Sequence, residues 1–289
     1  MKKIGFIGLG VMGNSIVKHL LNEHYTVFVY TRTKVKAIEC IEKGAQWCAS
    51  PADVTQKADV ILTMVGYPSD VENVYFDETN GIFSQDVTGK YLIDLTTSTP
   101  TLAQRIADYA QSRGAFAMDA PVSGGDTGAK NGMLTTMVGS SQSAFEAVLP
   151  ILNVFSSKVK RQGNAGAGQH TKMANQIMIA GTMTGMTELL VYAKAAGLNA
   201  KDVLETVGAG SAGNWSLSNY GPRILNDDFA AGFYVKHFVK DLRIALEESK
   251  KLGIELPATQ QAERLYHALL AAGFGDNGTQ SLIKVYTKE

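Results

Sequence analysis

The chain has 289 residues, with 27 basic and 27 acidic side chains, no net charge, and 45% hydrophobic against 19% charged content. That balance belongs to a folded globular protein and argues against nucleic acid or an anionic membrane surface as partner. No stretch approaches the roughly 18 apolar residues of a membrane-crossing helix. Cys40 and Cys48 are too few for a disulfide framework and lack metal-ligand spacing, and the five histidines are scattered singly, so no metal is expected. The chain opens directly on a strand-like run with no room for a signal peptide, and cytoplasmic placement is the expectation.

Ile4, Phe6 and Ile7 form a short apolar run that leads into Gly8-Leu9-Gly10-Val11-Met12-Gly13, with G-x-G-x-x-G spacing. Met12, Ile16, Val17, Leu20 and Leu21 then predict a helix over 11–21, and a second strand follows over 26–30. Strand, glycine turn, helix and strand in this order are what a dinucleotide site requires. Gly8 would make the tight turn, Gly10 would let a pyrophosphate approach the backbone, and Gly13 would let the helix sit close to the strand. The free N–H groups at the helix start would face the phosphates. The plainer alternative is a structural glycine turn.

Where the second strand ends, an NAD site usually carries Asp or Glu to bind the ribose hydroxyls. This chain has Tyr30-Thr31-Arg32-Thr33-Lys34 instead. No carboxylate there would repel a 2′-phosphate, Arg32 can stack on adenine or grip that phosphate, and Thr31 and Thr33 can donate hydroxyl bonds. NADP is favoured and NAD stays open; a solvated basic loop is the bland alternative.

Further on, Ser50-Pro51-Ala52-Asp53 reads as a helix start. Residues 59–65 form a buried strand, and the loop Gly66-Tyr67-Pro68-Ser69 follows at the end where open α/β sheets bind ligands. Residues 91–96 are another strand, its exit loop Thr96-Thr97-Ser98 belongs to the same cleft, and Thr99-Pro100 opens a helix to about residue 113. Strands over 115–118 and 134–138 complete a mostly parallel sheet with room for an antiparallel edge. Beyond that the strands stop. A helix rich in Ala, Met, Gly and Thr spans about 167–196, Gly197 and Asn199 punctuate it, and further helices cover 239–252 and 257–270. The expected fold is α/β: a Rossmann-type doubly wound domain over 1–164, then an all-α domain over 165–289, joined by a long interdomain helix.

Three further stretches carry candidate chemistry. Asp119-Ala120-Pro121-Val122-Ser123-Gly124-Gly125 ends a strand, and Ser123 with Gly124 and Gly125 offers a hydroxyl and exposed N–H groups suited to a carboxylate. In the block from Gly163 to Gln176, Lys172, Asn175 and Gln176 share one helix face. A lysine on a largely apolar helix is unusual, and burial would bring its pKa toward the range useful for proton transfer. Phe233, Lys236, Lys240 and Asp241 form the third stretch. Singly, these read as a turn, a snorkelling lysine and a solvated face.

Together, the four ordered motifs resemble the β-hydroxyacid dehydrogenase family over essentially the whole length. That family includes 3-hydroxyisobutyrate, tartronate semialdehyde and glyoxylate/succinic semialdehyde reductases and is related to 6-phosphogluconate dehydrogenase. The resemblance implies an oxidoreductase with Lys172 as general acid/base, and Ser123, Gly124, Gly125 and an amide after Lys172 positioning substrate. It also implies Val65, Gly66, Thr97 and Lys240 near the nicotinamide end of the cofactor, with Phe233 among the cofactor-binding residues. Two positions depart from the pattern. Some relatives have asparagine four residues after the lysine, where this chain has Gln176 with Asn175 one earlier, and Asn175 is preferred. Many relatives have proline where this chain has Gly66. The implied substrate is a short hydroxyacid or the matching semialdehyde, handled by a homodimer or homotetramer. Imine reduction is a rival reading that Lys172 opposes, because those relatives commonly replace the lysine. A catalytically silent NADP-binding scaffold or sensor is another, opposed by the intact Lys172 and Ser123-Gly124-Gly125.

Overall fold

A computed structural model describes residues 2–287. It divides into two compact units, the first ending at Lys172 and the second beginning at Met173. The first alternates strands and helices. It runs β1 (Ile4–Ile7), α1 (Val11–Asn22), β2 (Val27–Tyr30), α2 (Ile38–Glu42), β3 (Gln46–Trp47), α3 (Pro51–Lys57), β4 (Val60–Thr63) and α4 (Pro68–Phe76). Then come β5 (Tyr91–Asp94), α5 (Pro100–Ser112), β6 (Phe116–Asp119), β7 (Val122–Ser123), α6 (Gly125–Lys130), β8 (Leu134–Gly139), α7 (Gln142–Leu152) and β9 (Ser156–Gly163). The unit closes with the first residues of α8 (Ala167–Ala195).

The sheet order is β3-β2-β1-β4-β5-β6-β8-β7, with β9 paired to β8. From β3 to β6 every pairing is parallel, in the doubly wound order whose crevice lies beyond the carboxyl ends of β1 and β4. Alternation along the central strands separates two cores. Ile4, Phe6, Val60, Leu62 and Ile93 pack with Ile16, Val17 and Leu20 of α1 on one face. Ile7, Ile61 and Leu92 pack with Val54 of α3, Val71 of α4 and Ile106 of α5 on the other. With side chains buried on both sides, these strands read as continuous apolar runs, as parallel strands do.

Helix starts follow local chemistry. Ser50 and Thr99 each accept a hydrogen bond from the N–H three residues on, at 3.0 Å and 3.2 Å, and each is followed by proline at the first helical position. The segment after β4 is less of a loop than its sequence implies, because α4 begins at Pro68. Strand β9 was not expected. Its sequence, Ser-Ser-Lys-Val-Lys-Arg-Gln-Gly, is largely exposed and carries little apolar signal, yet it runs parallel to β8.

The second unit is helical. It holds the remainder of α8, then α9 (Ala200–Gly208), α10 (Trp215–Leu225), α11 (Val235–Lys251), α12 (Pro257–Ala271) and α13 (Ile283–Thr287). Its core gathers Met183, Met186 and Leu190 of α8 around Phe238, Leu242, Tyr266 and Leu269. Among the described residues no helix is long and apolar enough to cross a membrane.

The glycine turn after β1 shows three different demands. Gly8 has φ +103°, and a Cβ there would run into the Met64 carbonyl oxygen. A Cβ on Gly13 would run into the Gly8 carbonyl oxygen and lie 3.0 Å from Phe6 Cε1. Gly10 is different: its backbone is extended, at φ −75° and ψ −172°, and nothing lies within 4 Å of a Cβ built on it. Gly13→Ala should therefore cost about 1–3 kcal/mol in denaturant unfolding, because α1 must back away from β1. Gly10→Ala should stay within about 1 kcal/mol of wild type. Equal losses at both positions would refute this division of labour.

Candidate active site

Helix α1 follows Gly10, which supplies no side-chain cap, and its first turn contains no acidic residue. Its leading N–H groups thus open onto the space beside Gly10, an arrangement that suits an anion. The Gly8 N–H donates to the Tyr30 carbonyl at 2.8 Å, which ties this turn to the end of β2. Leu9 is buried under the turn, whereas Val11 is exposed on it. Beyond β2, Thr31 is half-buried and Arg32 and Thr33 are exposed. Arg32 Nη1 pairs with Asp70 Oδ1 of α4 at 3.0 Å.

Beyond β4, Val65 and Gly66 are half-buried, and the Val65 N–H donates to Thr96 Oγ1 at 3.0 Å. The Thr96-Thr97-Ser98 turn is held from the other side by Gln169. Gln169 Nε2 donates to the Thr96 carbonyl at 2.7 Å, and its Oε1 accepts from the Ser98 N–H at 3.0 Å. Both ends of one buried amide therefore clasp the turn that carries Thr97. The sequence offered no sign of this, because the partners lie more than seventy residues before Gln169.

The start of α8 is fixed by Asp119, at the end of β6. Its two carboxylate oxygens accept from the Gly166 and Gln169 N–H groups, each at 2.7 Å. Gly168 presses in so closely that a Cβ would meet the Met137 carbonyl oxygen. One turn of helix further on, Lys172 is 7% exposed, and its Nζ donates to the Val122 carbonyl at 2.8 Å. Val122 directly precedes Ser123, Gly124 and Gly125. Gly124 and Gly125 have φ +129° and +63°, so successive backbone N–H groups can turn outward there. The lysine amine and the predicted carboxylate nest are thus joined through one carbonyl group, all within the first unit.

In the second unit, Gln176 is fully buried, and both ends of its amide are engaged. Its Nε2 donates to Asp241 Oδ2 at 2.7 Å, and its Oε1 accepts from Asn175 Nδ2 at 2.7 Å. Lys240 Nζ lies 3.0 Å from Asp241 Oδ1, an ion pair without hydrogen-bond alignment. Asn175 is only half-buried, so of the two candidate amides it is the accessible one. Phe233 is half-buried against Phe238, with ring centroids 5.5 Å apart. Among the described residues no group of three or more His, Cys, Asp or Glu is placed to hold a metal ion.

Comparison with known proteins finds relatives along essentially the whole chain. Residues 3–163 match the family model for the NAD binding domain of 6-phosphogluconate dehydrogenase. Residues 166–286 match that for the NAD-binding domain of NADP-dependent 3-hydroxyisobutyrate dehydrogenase. The chain is 53% identical over 287 residues to the uncharacterized oxidoreductase YkwC of Bacillus subtilis, covering 99% of each. It is 48% identical to the probable mitochondrial 3-hydroxyisobutyrate dehydrogenase-like 1 of Arabidopsis thaliana, covering 97% of this chain and 84% of that one. Among solved structures, a Mycobacterium tuberculosis 3-hydroxyisobutyrate dehydrogenase with L-serine superposes with a TM-score of 0.90 at 28% identity, covering 99% of both chains.

Asp119 also has an electrostatic signature. Burial pushes its carboxyl up to about 6, against the opposing pull of the Gly166, Gln169 and Gly168 N–H groups. The folded protein therefore binds this proton more tightly than the unfolded chain, whose value is near 3.8. The group's contribution to stability rises as pH falls from about 6 to about 4, and it is lost as pH rises through about 6. The melting temperature of wild type minus that of Asp119→Asn should increase when pH is lowered from about 7 to about 4. A flat or reversed difference would mean that Asp119 is not buried against α8 in this way.

Proposed function

The chain belongs to the β-hydroxyacid dehydrogenase family of NAD(P)-binding oxidoreductases, and we propose that it interconverts a short β-hydroxyacid and its semialdehyde or ketoacid with NADP(H), Lys172 carrying the proton. The observation that carries this reading is the buried Lys172 Nζ held 2.8 Å from the Val122 carbonyl, next to Ser123-Gly124-Gly125. A buried amine fixed beside an anion-binding turn is what proton transfer on a hydroxyacid needs.

The coenzyme fits the residues present: the space beside Gly10 and the uncapped, acid-free start of α1 are what a pyrophosphate requires. Gly8, Leu9, Gly10, Val11, Met12 and Gly13 would hold it there, with Thr31, Arg32 and Thr33 at the adenosine end. Val65, Gly66, Thr97, Phe233 and Lys240 would lie toward the nicotinamide. When bound, that group supplies or accepts the hydride.

The proton is the protein's task. In oxidation the neutral Lys172 amine takes the hydroxyl proton as the C–O bond becomes a carbonyl. In reduction the protonated amine returns it to the oxygen. The bond to Val122 fixes where Nζ sits, beside the turn that would receive the substrate. Ser123 and the Gly124 and Gly125 N–H groups receive the substrate carboxylate. Asn175 is the amide offered to substrate, while Gln176, committed at both ends, supports it from behind. Residues 1–164 thus serve as the nucleotide-binding domain and 165–289 as the substrate and assembly domain. Met178 and Tyr192 of α8, 66% and 74% exposed, support a homodimer or homotetramer built through the helices.

A panel of small hydroxyacids and semialdehydes, followed by absorbance of the reduced nicotinamide, tests the activity. Lys172→Ala should lower kcat by about 10²- to 10⁴-fold while NADP still binds; undiminished kcat would remove Lys172 from the mechanism. Asn175→Ala should raise KM for the acid and also cost about 1–3 kcal/mol of stability, because it leaves the buried Gln176 Oε1 without its donor. Gln176→Ala should lower stability by about 1–3 kcal/mol with KM little changed, because it strands a buried Asp241 oxygen. If Gln176→Ala changed KM alone, the roles of the two amides would be exchanged.

A further inference from the structure

A carboxylate is missing from the end of β2, yet one reaches that place from elsewhere. Asp70 is the third residue of α4, and its Oδ2 accepts from the Tyr67 N–H at 3.1 Å, so the helix start holds it in place. Its Oδ1 lies 3.0 Å from Arg32 Nη1. The two side chains differ sharply in exposure, Asp70 being 17% and Arg32 79% accessible. Asp70 is therefore the anchored partner and Arg32 the one that projects into solvent. The ion pair engages one edge of a guanidinium fork that carries five N–H donors, and the remaining donors are free to meet an oxyanion.

We propose that Asp70 is a specificity-determining residue that restrains the preference for a 2′-phosphorylated adenosine, so that the site accepts NAD as well as NADP. The inference rests on reading the glycine turn and the end of β2 as a nicotinamide-nucleotide site. A phosphate gripped by Arg32 carries a charge of about −1.5 to −2. It must share the guanidinium with a carboxylate already 3.0 Å from it. Two like charges separated by one guanidinium lie roughly 6 Å apart, and at an exposed surface their repulsion weakens phosphate binding about three- to tenfold at low salt. An adenosine without the 2′-phosphate meets no such repulsion. Arg32 does not depend on Asp70 for its fork geometry, since the guanidinium is planar and rigid by itself.

Asp70→Asn isolates the charge, because the amide oxygen still accepts from the Tyr67 N–H and the volume is unchanged. The full-length chain and this variant are titrated calorimetrically with adenosine 5′-monophosphate and adenosine 2′,5′-bisphosphate, a readout independent of turnover. The ratio of the two Kd values should shift toward the bisphosphate by about three- to tenfold in Asp70→Asn at low ionic strength, and the gain should shrink in about 1 M salt. An unchanged ratio with both nucleotides bound would overturn the proposal. So would a shift toward the monophosphate, which would mean that Asp70 orients Arg32 for the phosphate. If neither nucleotide binds wild type, the nucleotide reading itself fails and this inference falls with it.

Discussion

The first unit depends on one buried carboxylate. Asp119 receives the opening N–H groups of α8 just where β6 ends, and the helix then carries Lys172 to the Val122 carbonyl only three residues beyond Asp119. A helix start buried without partners would leave several donors unpaired, so the acid fixes the first turn of α8 against the end of β6. The arrangement has a cost, since a carboxylate placed away from water resists ionisation. Such a group persists where it determines a geometry that apolar packing would leave loose.

The surrounding architecture converges on the same edge of the sheet. β1, β4, β5 and β6 run parallel and release their chains on one side, where the glycine turn, the Val65-Gly66 segment, the Thr96-Thr97-Ser98 turn and the Asp119 motif follow one another. Gln169 clasps the Thr96-Thr97-Ser98 turn through both ends of its side-chain amide. Loops with no regular structure of their own are thereby held by hydrogen bonds rather than by packing, which gives a site precise placement on a stable scaffold.

How much of this could be read from the chain depends on the range of each interaction. The glycine turn declares itself through the spacing of Gly8, Gly10 and Gly13, and Gly13 meets the nearby Gly8 carbonyl, although the close approach at Gly8 is to Met64, far along the chain. Ser50, Thr99 and Asn199 cap helices with N–H groups two or three residues away. The central strands stand out because both faces are covered. β9 does not, since Lys158, Lys160 and Arg161 look like loop chemistry until β8 is alongside. Lys172 could be singled out as a cation on an apolar helix, but its carbonyl partner lies fifty residues earlier. The clasp made by Gln169 and the pairing of Arg32 with Asp70 join residues whose spacing carries no pattern at all. They arise from topology, which places β2, β1 and β4 side by side for the ion pair and β5 beside β6 for the clasp.

β9 has a consequence of its own. Among the described strands it pairs with β8 alone, which makes it an edge that another chain could extend. Lys158, Lys160 and Arg161 stud that border with like charges. A second molecule offering the same border would bring cation against cation before any ladder could form. Edge-to-edge pairing of two copies through β9 is thereby disfavoured.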